Sequence, residues 1–151
     1  MDFWNDASAL YKTGQGKWGT DEELFKRVFA TRSPAELIVI NKYYKQHAGK
    51  GLLRAINDEF SGNTKELLDT IIRSNIDPYG YYAGRIHDSL SVDGINAPRL
   101  IRNICARHAV DIPLIRQAYI RDYYKYILTD IQGGDSKYYR KVLYSLVANA
   151  R

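Results

Sequence analysis

The best case for a ligand site in this chain is the stretch Gly14-Gln15-Gly16-Lys17-Trp18-Gly19-Thr20-Asp21-Glu22. Its three glycines permit positive φ, so successive carbonyls can turn toward one point. Thr20 and Glu23, three residues apart, carry the pattern of a capping box at a helix start. Carbonyls converging beside a carboxylate suit a hard cation such as Ca²⁺. The loop has no carboxylate at close range, so the acid must come from elsewhere. Glu59 stands well downstream of Gly19, in Asp58-Glu59-Phe60-Ser61-Gly62, at a helix end from which a side chain can reach a neighbouring loop.

The elements that must position these residues are helical. Apolar residues recur at helical spacing, and no alternating strand pattern persists. Asp6 to Lys12 reads as a first helix with Ala7, Leu10 and Tyr11 on one face. Thr20 to Thr31 follows, burying Leu24, Phe25, Val28 and Phe29. Ser33-Pro34 opens a third helix, with Ser33 as cap, Pro34 in the first turn and Glu36 closing a box. Its stripe is Leu37, Ile40, Tyr43 and Tyr44, and Gly49 ends it. Short helices over Leu52 to Glu59 and Thr64 to Arg73 complete the set.

The same order then returns. Arg32 matches Arg107, Ile40 matches Ile115, Tyr44 matches Tyr119, Leu52 matches Ile127 and Leu68 matches Leu143, all at one constant interval. Upstream of the first loop the interval is longer by one, pairing Ala7 with Ala83 and Leu10 with Ile86, so the first copy has one extra loop residue. The chain is therefore an all-α internal repeat of about five helices per copy. The copies are expected over 1–74 and 75–151, joined by a linker from Ser74 to Gly80.

Bulk composition bounds the function. A chain of 151 residues with 45% hydrophobic and 26% charged residues can bury a sizeable core. Its acidic, polar N-terminal residues do not read as a secretory signal. The single Cys105 excludes an internal disulfide and fits a reducing compartment, so a cytoplasmic location is expected. A net charge of +5 favours anionic surfaces, but the lysines and arginines are spread along the chain and form no block.

The motifs Lys17-Trp18-Gly19-Thr20-Asp21-Glu22-Glu23, Thr31-Arg32-Ser33, Tyr43-Tyr44-Lys45, Gly49-Lys50 and Glu59-Phe60-Ser61-Gly62-Asn63 resemble those of the annexin family. The resemblance covers nearly the whole chain, and two separated motifs agree in spacing. The first copy resembles the third of the four repeats of an animal annexin. The second copy is similar to the fourth, through Leu100-Ile101-Arg102 and Arg107-His108-Ala109-Val110-Asp111. The fold implied is two annexin repeats of about five helices each, wound in a right-handed superhelix.

That resemblance implies Ca²⁺ ligands: backbone carbonyls of Gly14, Lys17 and Gly19, with a bidentate carboxylate from Glu59. Water or lipid phosphate oxygens complete the sphere. A weaker second ion would fall to Thr20 and Glu22. One carboxylate among neutral carbonyls leaves weak affinity in water, about 10⁻⁴–10⁻³ M, which bound lipid strengthens by linkage. Trp18 and Lys17 are the implied membrane contacts, the indole entering the headgroup region. Arg102 and Asp111 match positions expected to form a polar pair between repeats.

The second copy departs from the pattern. Val92 and Ile95 replace the loop glycine and threonine, and Gly134 stands at the position of Glu59, with Asp135 one residue out of register. No strong Ca²⁺ site is expected there; Asp93 or Asp135 would serve a weak one. His47, His87 and His108 lack partners at metal-ligand spacing and read as structural or solvent-facing. Cys105 reads as a small buried hydrophobe beside Ile101 and Ile104. The Tyr-rich runs read as half-buried packing, which disfavours nucleic acid as a partner. With no P-loop spacing and no acid/base pair, the chain does not read as an enzyme.

The expected function is Ca²⁺-dependent binding to anionic phospholipid membranes, with peripheral attachment when Ca²⁺ rises. The alternative is a Ca²⁺-independent helical scaffold for cytoskeletal or other protein partners. An isolated pair of repeats would expose a sticky face, which suggests self-association or pairing with an N-terminal half.

Overall fold

The computed structural model describes residues 2–14, 21–90, 95–133 and 138–150. Among the described residues there are ten α-helices and no strand. The chain divides into two compact units, Met1–Ile76 and Asp77–Arg151. The first holds α1 (Phe3–Gly14), α2 (Glu22–Thr31), α3 (Pro34–Ala48), α4 (Leu52–Glu59) and α5 (Gly62–Ile76). The second holds α6 (Pro78–Ser89), α7 (Ala97–Arg107), α8 (Ile112–Tyr123), α9 (Ile127–Gln132) and α10 (Tyr138–Asn149). The expected linker is mostly helical: α5 runs to Ile76, and Asp77 caps α6 by accepting from the Gly80 N–H at 3.0 Å.

Local chemistry explains where these helices start and stop. At α3, Ser33 Oγ accepts from the Glu36 N–H at 3.4 Å while the Glu36 carboxylate accepts from the Ser33 N–H at 2.7 Å. Pro34 occupies the first turn, and Gly49 closes the helix at φ 68°, where a side chain would be strained. α1 starts three residues before its expected position because Asp2 accepts from both the backbone and the side-chain amide of Asn5. The cap of α2 is Asp21, whose carboxylate accepts from the Leu24 N–H at 3.0 Å. Glu23 is paired with Lys26 at 3.0 Å, and Thr20 lies outside the described residues.

Packing repeats with the sequence. In the first unit α1 lies on α3, α4 on α5 and α2 on α5; in the second α6 lies on α8, α9 on α10 and α7 on α10. Each unit has its own apolar core. Leu10, Phe25, Ile40, Tyr44, Ile56 and Ile72 are fully buried in the first, and Ile86, Leu100, Ile115, Tyr119, Ile131 and Val147 in the second. These six pairs are one set of positions read twice. Burying one such side chain contributes about 1.5–3 kcal/mol, so the sequence repeat is an energetic as well as a textual one.

Cys105 departs from expectation, and Asn103 breaks the match between the two cores. Cys105 is exposed, because the buried face of α7 runs through Leu100, Asn103 and Ile104 and turns Ile101 and Cys105 outward. Asn103 is buried at the position that Val28 fills in the first unit, and its Nδ2 has no hydrogen-bond partner among the described residues. The histidines are structural. His47 lies against Trp4 and Tyr11, His87 stacks on Tyr123 at 3.9 Å, and His108 Nδ1 lies 3.3 Å from the Leu146 carbonyl.

Candidate functional site

Three elements of the first unit carry the described residues of the expected site. α1 ends at Gly14, which opens the glycine-rich loop; α4 ends at Glu59; and α3 carries the buried Tyr44. A Cβ placed on Gly14 would lie 3.7 Å from the Tyr44 hydroxyl. Burial, and next the negative charge of Glu59, push the Tyr44 phenol above its ordinary pKa. Gly14 thus borders the Tyr44 hydroxyl, and the Tyr44 phenol also feels the negative charge of Glu59.

The neighbouring acid is differently placed. Asp58 accepts from Lys50 at 2.8 Å and has Arg54 at 3.8 Å, and these cations hold its carboxyl below the usual range. The hydrogen bond from Lys50 is the larger cause. Asp58 therefore closes the corner between α3 and α4, while Glu59, at the last turn of α4, is exposed to solvent.

Of the other expected ligands, Lys17, Trp18, Gly19 and Thr20 lie outside the described residues. Glu22 is the first residue of α2 and sits 3.4 Å from the Lys26 ammonium, a positive charge that opposes a cation at this carboxylate. Among the described residues no three His, Cys, Asp or Glu gather as a metal cluster. A site built from one carboxylate and backbone carbonyls is an all-oxygen donor set, which suits Ca²⁺ and not a softer transition metal.

The second unit places its expected polar residues otherwise. Asp111 is paired with Arg107, not with Arg102: Arg107 Nε donates to Oδ1 at 2.8 Å and Nη2 to Oδ2. Arg107 also lies over the Tyr82 ring, 4.5 Å from its centroid, and Arg102 is exposed. Helical spacing accounts for this, since Asp111 follows Arg107 by four residues and Arg102 by nine. Because its carboxylate is committed to Arg107, Asp111 makes no side-chain cap on α8. The match of Arg32 with Arg107 across the repeat is the signal that singles out this arginine. Asp93, Gly134 and Asp135 lie outside the described residues.

Comparison with known proteins agrees with this architecture. The family model for annexins matches residues 5–71 and 81–146. The chain is 35% identical over 149 residues to annexin A7 of Dictyostelium discoideum, covering 98% of this chain and 32% of that protein. It is 33% identical over 142 residues to human annexin A13, covering 94% of this chain and 45% of that protein. Among solved structures, annexin III superposes with a TM-score of 0.89 at 27% identity, over 99% of this chain and 46% of its own. Calcium-bound annexin (Sm)1 superposes with a TM-score of 0.83 at 29% identity, over 98% and 41%. The chain thus spans less than half the length of these relatives. Its two matched repeats and their all-helical architecture make it a member of the annexin family.

Proposed function

We propose that this chain binds anionic phospholipid surfaces through Ca²⁺ at the Gly14–Gly19 loop, with the carbonyls of Gly14, Lys17 and Gly19 and the carboxylate of Glu59 as ligands. The observation that supports the reading is Tyr44, a buried residue whose hydroxyl borders Gly14 and whose phenol feels the negative charge of Glu59. The relative described as calcium-bound superposes over nearly all of this chain and supports the same ion here. When bound, Ca²⁺ would offer its unfilled coordination positions to lipid phosphate oxygens. The chain's own part is to hold the carboxylate at the end of α4, aim the loop and present Trp18 and Lys17 to the headgroups.

With one such loop in the chain, attachment is weak unless several molecules or further repeats engage together. Among the described residues no helix is long and apolar enough to cross a membrane, so attachment through these residues is peripheral. Thr20 and Glu22 would supply a second, weaker ion at the same loop.

The test is sedimentation with phosphatidylserine vesicles across a Ca²⁺ titration. The wild-type protein is expected to pellet only with Ca²⁺, and Glu59→Gln to need at least about tenfold more Ca²⁺, as loss of the one charged ligand demands. Pelleting that ignores Ca²⁺, or an unchanged Ca²⁺ midpoint in Glu59→Gln, would defeat the assignment.

A further inference from the structure

We propose that Arg140 of the second unit is a binding site for a phosphate group, on a lipid headgroup or free in solution, that needs no calcium. This inference does not rest on the Ca²⁺ reading of the first unit. Arg140 is the third residue of α10 and only 9% exposed. Its Nε and Nη1 are fully shielded and have no hydrogen-bond partner among the described residues. A guanidinium cannot shed its proton, so burial without an acceptor is a cost that a bound oxyanion would remove.

The first unit shows how this position is ordinarily satisfied. Lys65, which matches Arg140 across the repeat, donates its ammonium to the Asn57 carbonyl at 3.3 Å, near the end of α4. α9 is shorter than α4 and stops at Gln132, the residue matching Asn57, with the Gly133 N–H turned back to the Thr129 carbonyl. The sequence also puts glycine, Gly134, where Glu59 stands in the first copy. The basic residue persists, the longer helix end is gone, and the acid stands one residue later in the sequence, at Asp135.

The surroundings favour an anion. The first turn of α10 carries Arg140 and Lys141 and no acid. Side chains in a helix lean toward its N-terminus, so the Arg140 stem runs back to the positive end of α10. That end attracts anions by its own dipole. Lys141 and Tyr138 are exposed beside it, the ammonium 5.9 Å from the ring centroid. A guanidinium fork at the N-terminal end of a helix matches the oxygens of a phosphate, which can accept from both. The corner that in the first unit offers an acid to a cation would in the second offer a base to an anion.

The experiment uses the whole chain in chelator, so the Ca²⁺ site is silent. Thermal unfolding is followed with inorganic phosphate and with chloride at equal ionic strength. At phosphate about tenfold above its dissociation constant, the wild-type melting temperature should exceed that in chloride by about 3–6 °C. Arg140→Met should lose this difference, and Glu59→Gln should keep it. Arg140→Lys, which restores the first unit's residue, serves if the methionine variant does not fold, and should lose most of it. Vesicles of phosphatidic acid, still in chelator, separate the two sources of phosphate. A several-fold drop in pelleting for the Arg140 variants assigns the site to lipid, and retained pelleting with the lost thermal response assigns it to free phosphate. Equal behaviour of wild type and Arg140 variants in both assays overturns the proposal.

Discussion

Arg32 and Arg107 occupy the same point of the two units and make different partnerships. Arg32 Nε donates to Asp6 of α1 at 2.8 Å, and its Nη2 lies 2.8 Å from the same carboxylate oxygen. The residue matching Asp6 in the second unit is Tyr82, and Arg107 lies over that ring while turning its donors to Asp111. Asp111 matches Glu36, which in the first unit closes the capping box of α3. One change, acid to aromatic on the first helix, thus accompanies a different ion pair and the loss of a side-chain cap. The apolar positions meanwhile repeat almost unchanged. Core residues are constrained by volume on all sides, whereas polar residues need only some partner, so the units keep one skeleton and diverge in their polar chemistry.

The largest expected contrast lies at the matched tyrosines. Tyr119 donates its hydroxyl to Asp130 at 2.6 Å, a bond to a charged acceptor, and its phenol pKa is raised by burial and then by that bond. At the place of Asp130 the first unit has Ala55, and the Tyr44 hydroxyl instead faces Gly14. Tyr119→Phe removes a charge-assisted bond and should destabilise the chain by about 1.5–3 kcal/mol in urea unfolding. Tyr44→Phe, which keeps the ring and removes no such bond among the described residues, should cost less than about 1 kcal/mol. Equal losses would mean that the two hydroxyls are equivalent and that the corner near Glu59 is not specialised.

Much of this contrast is legible in the sequence. The helical period, the constant interval between the copies, the Ser33–Glu36 box and the Gly49 terminus follow from local rules that tertiary structure does not override here. The expected pairing of Glu59 with the loop rests on a resemblance in which two well-separated motifs agree in spacing. The misses have physical causes. Thr20 and Asp21 are both good caps, and which one serves depends on where the chain enters the helix, which spacing alone does not tell. Cys105 lies next to buried Ile104, but a helix turns by about 100° per residue, and that rotation places it outside. Arg102 stands at a family position, yet the simpler four-residue spacing of Arg107 to Asp111 decides the pairing. The orphaned guanidinium of Arg140 depends on how far α9 extends, and the Gly133-Gly134 pair is the one sequence sign of its early end.

A second contrast has opposite signs in the two units. The corner after the third helix of each is left-handed, with Gly49 at φ 68° and Tyr124 at φ 55°. Glycine takes that conformation without strain, whereas a side chain costs about 1–2 kcal/mol. Tyr124 is 90% exposed, so its ring contributes little burial in return. Tyr124→Gly should therefore raise stability by about 1 kcal/mol, and Gly49→Ala should lower it by about the same. Thermal unfolding of both variants reads the two signs in one experiment. A destabilised Tyr124→Gly would show that the exposed ring has a contact that outweighs its backbone strain.

The smallest effect concerns the acid that closes the box in the first unit. Donation from the Ser33 N–H, and next from its hydroxyl, holds Glu36 below the usual carboxylate pKa. A carboxylate depressed on folding stabilises the native state above its unfolded pKa, about 4.3, and that contribution is lost as pH falls through the lower folded value. Lowering the pH from neutral to about 3 should therefore cost the wild type slightly more than Glu36→Gln, which keeps the side-chain shape but has no proton to take up. The readout is the difference in urea midpoint between the two proteins at each pH, which should narrow on acidification. Asp111, the matching acid of the second unit, is joined to a guanidinium and not to a cap, so salt should weaken its interaction more than it weakens the Glu36 box. A midpoint difference that stays constant with pH would show that Glu36 acts through its shape and not through its charge, and the box would then be no different in kind from an uncharged cap.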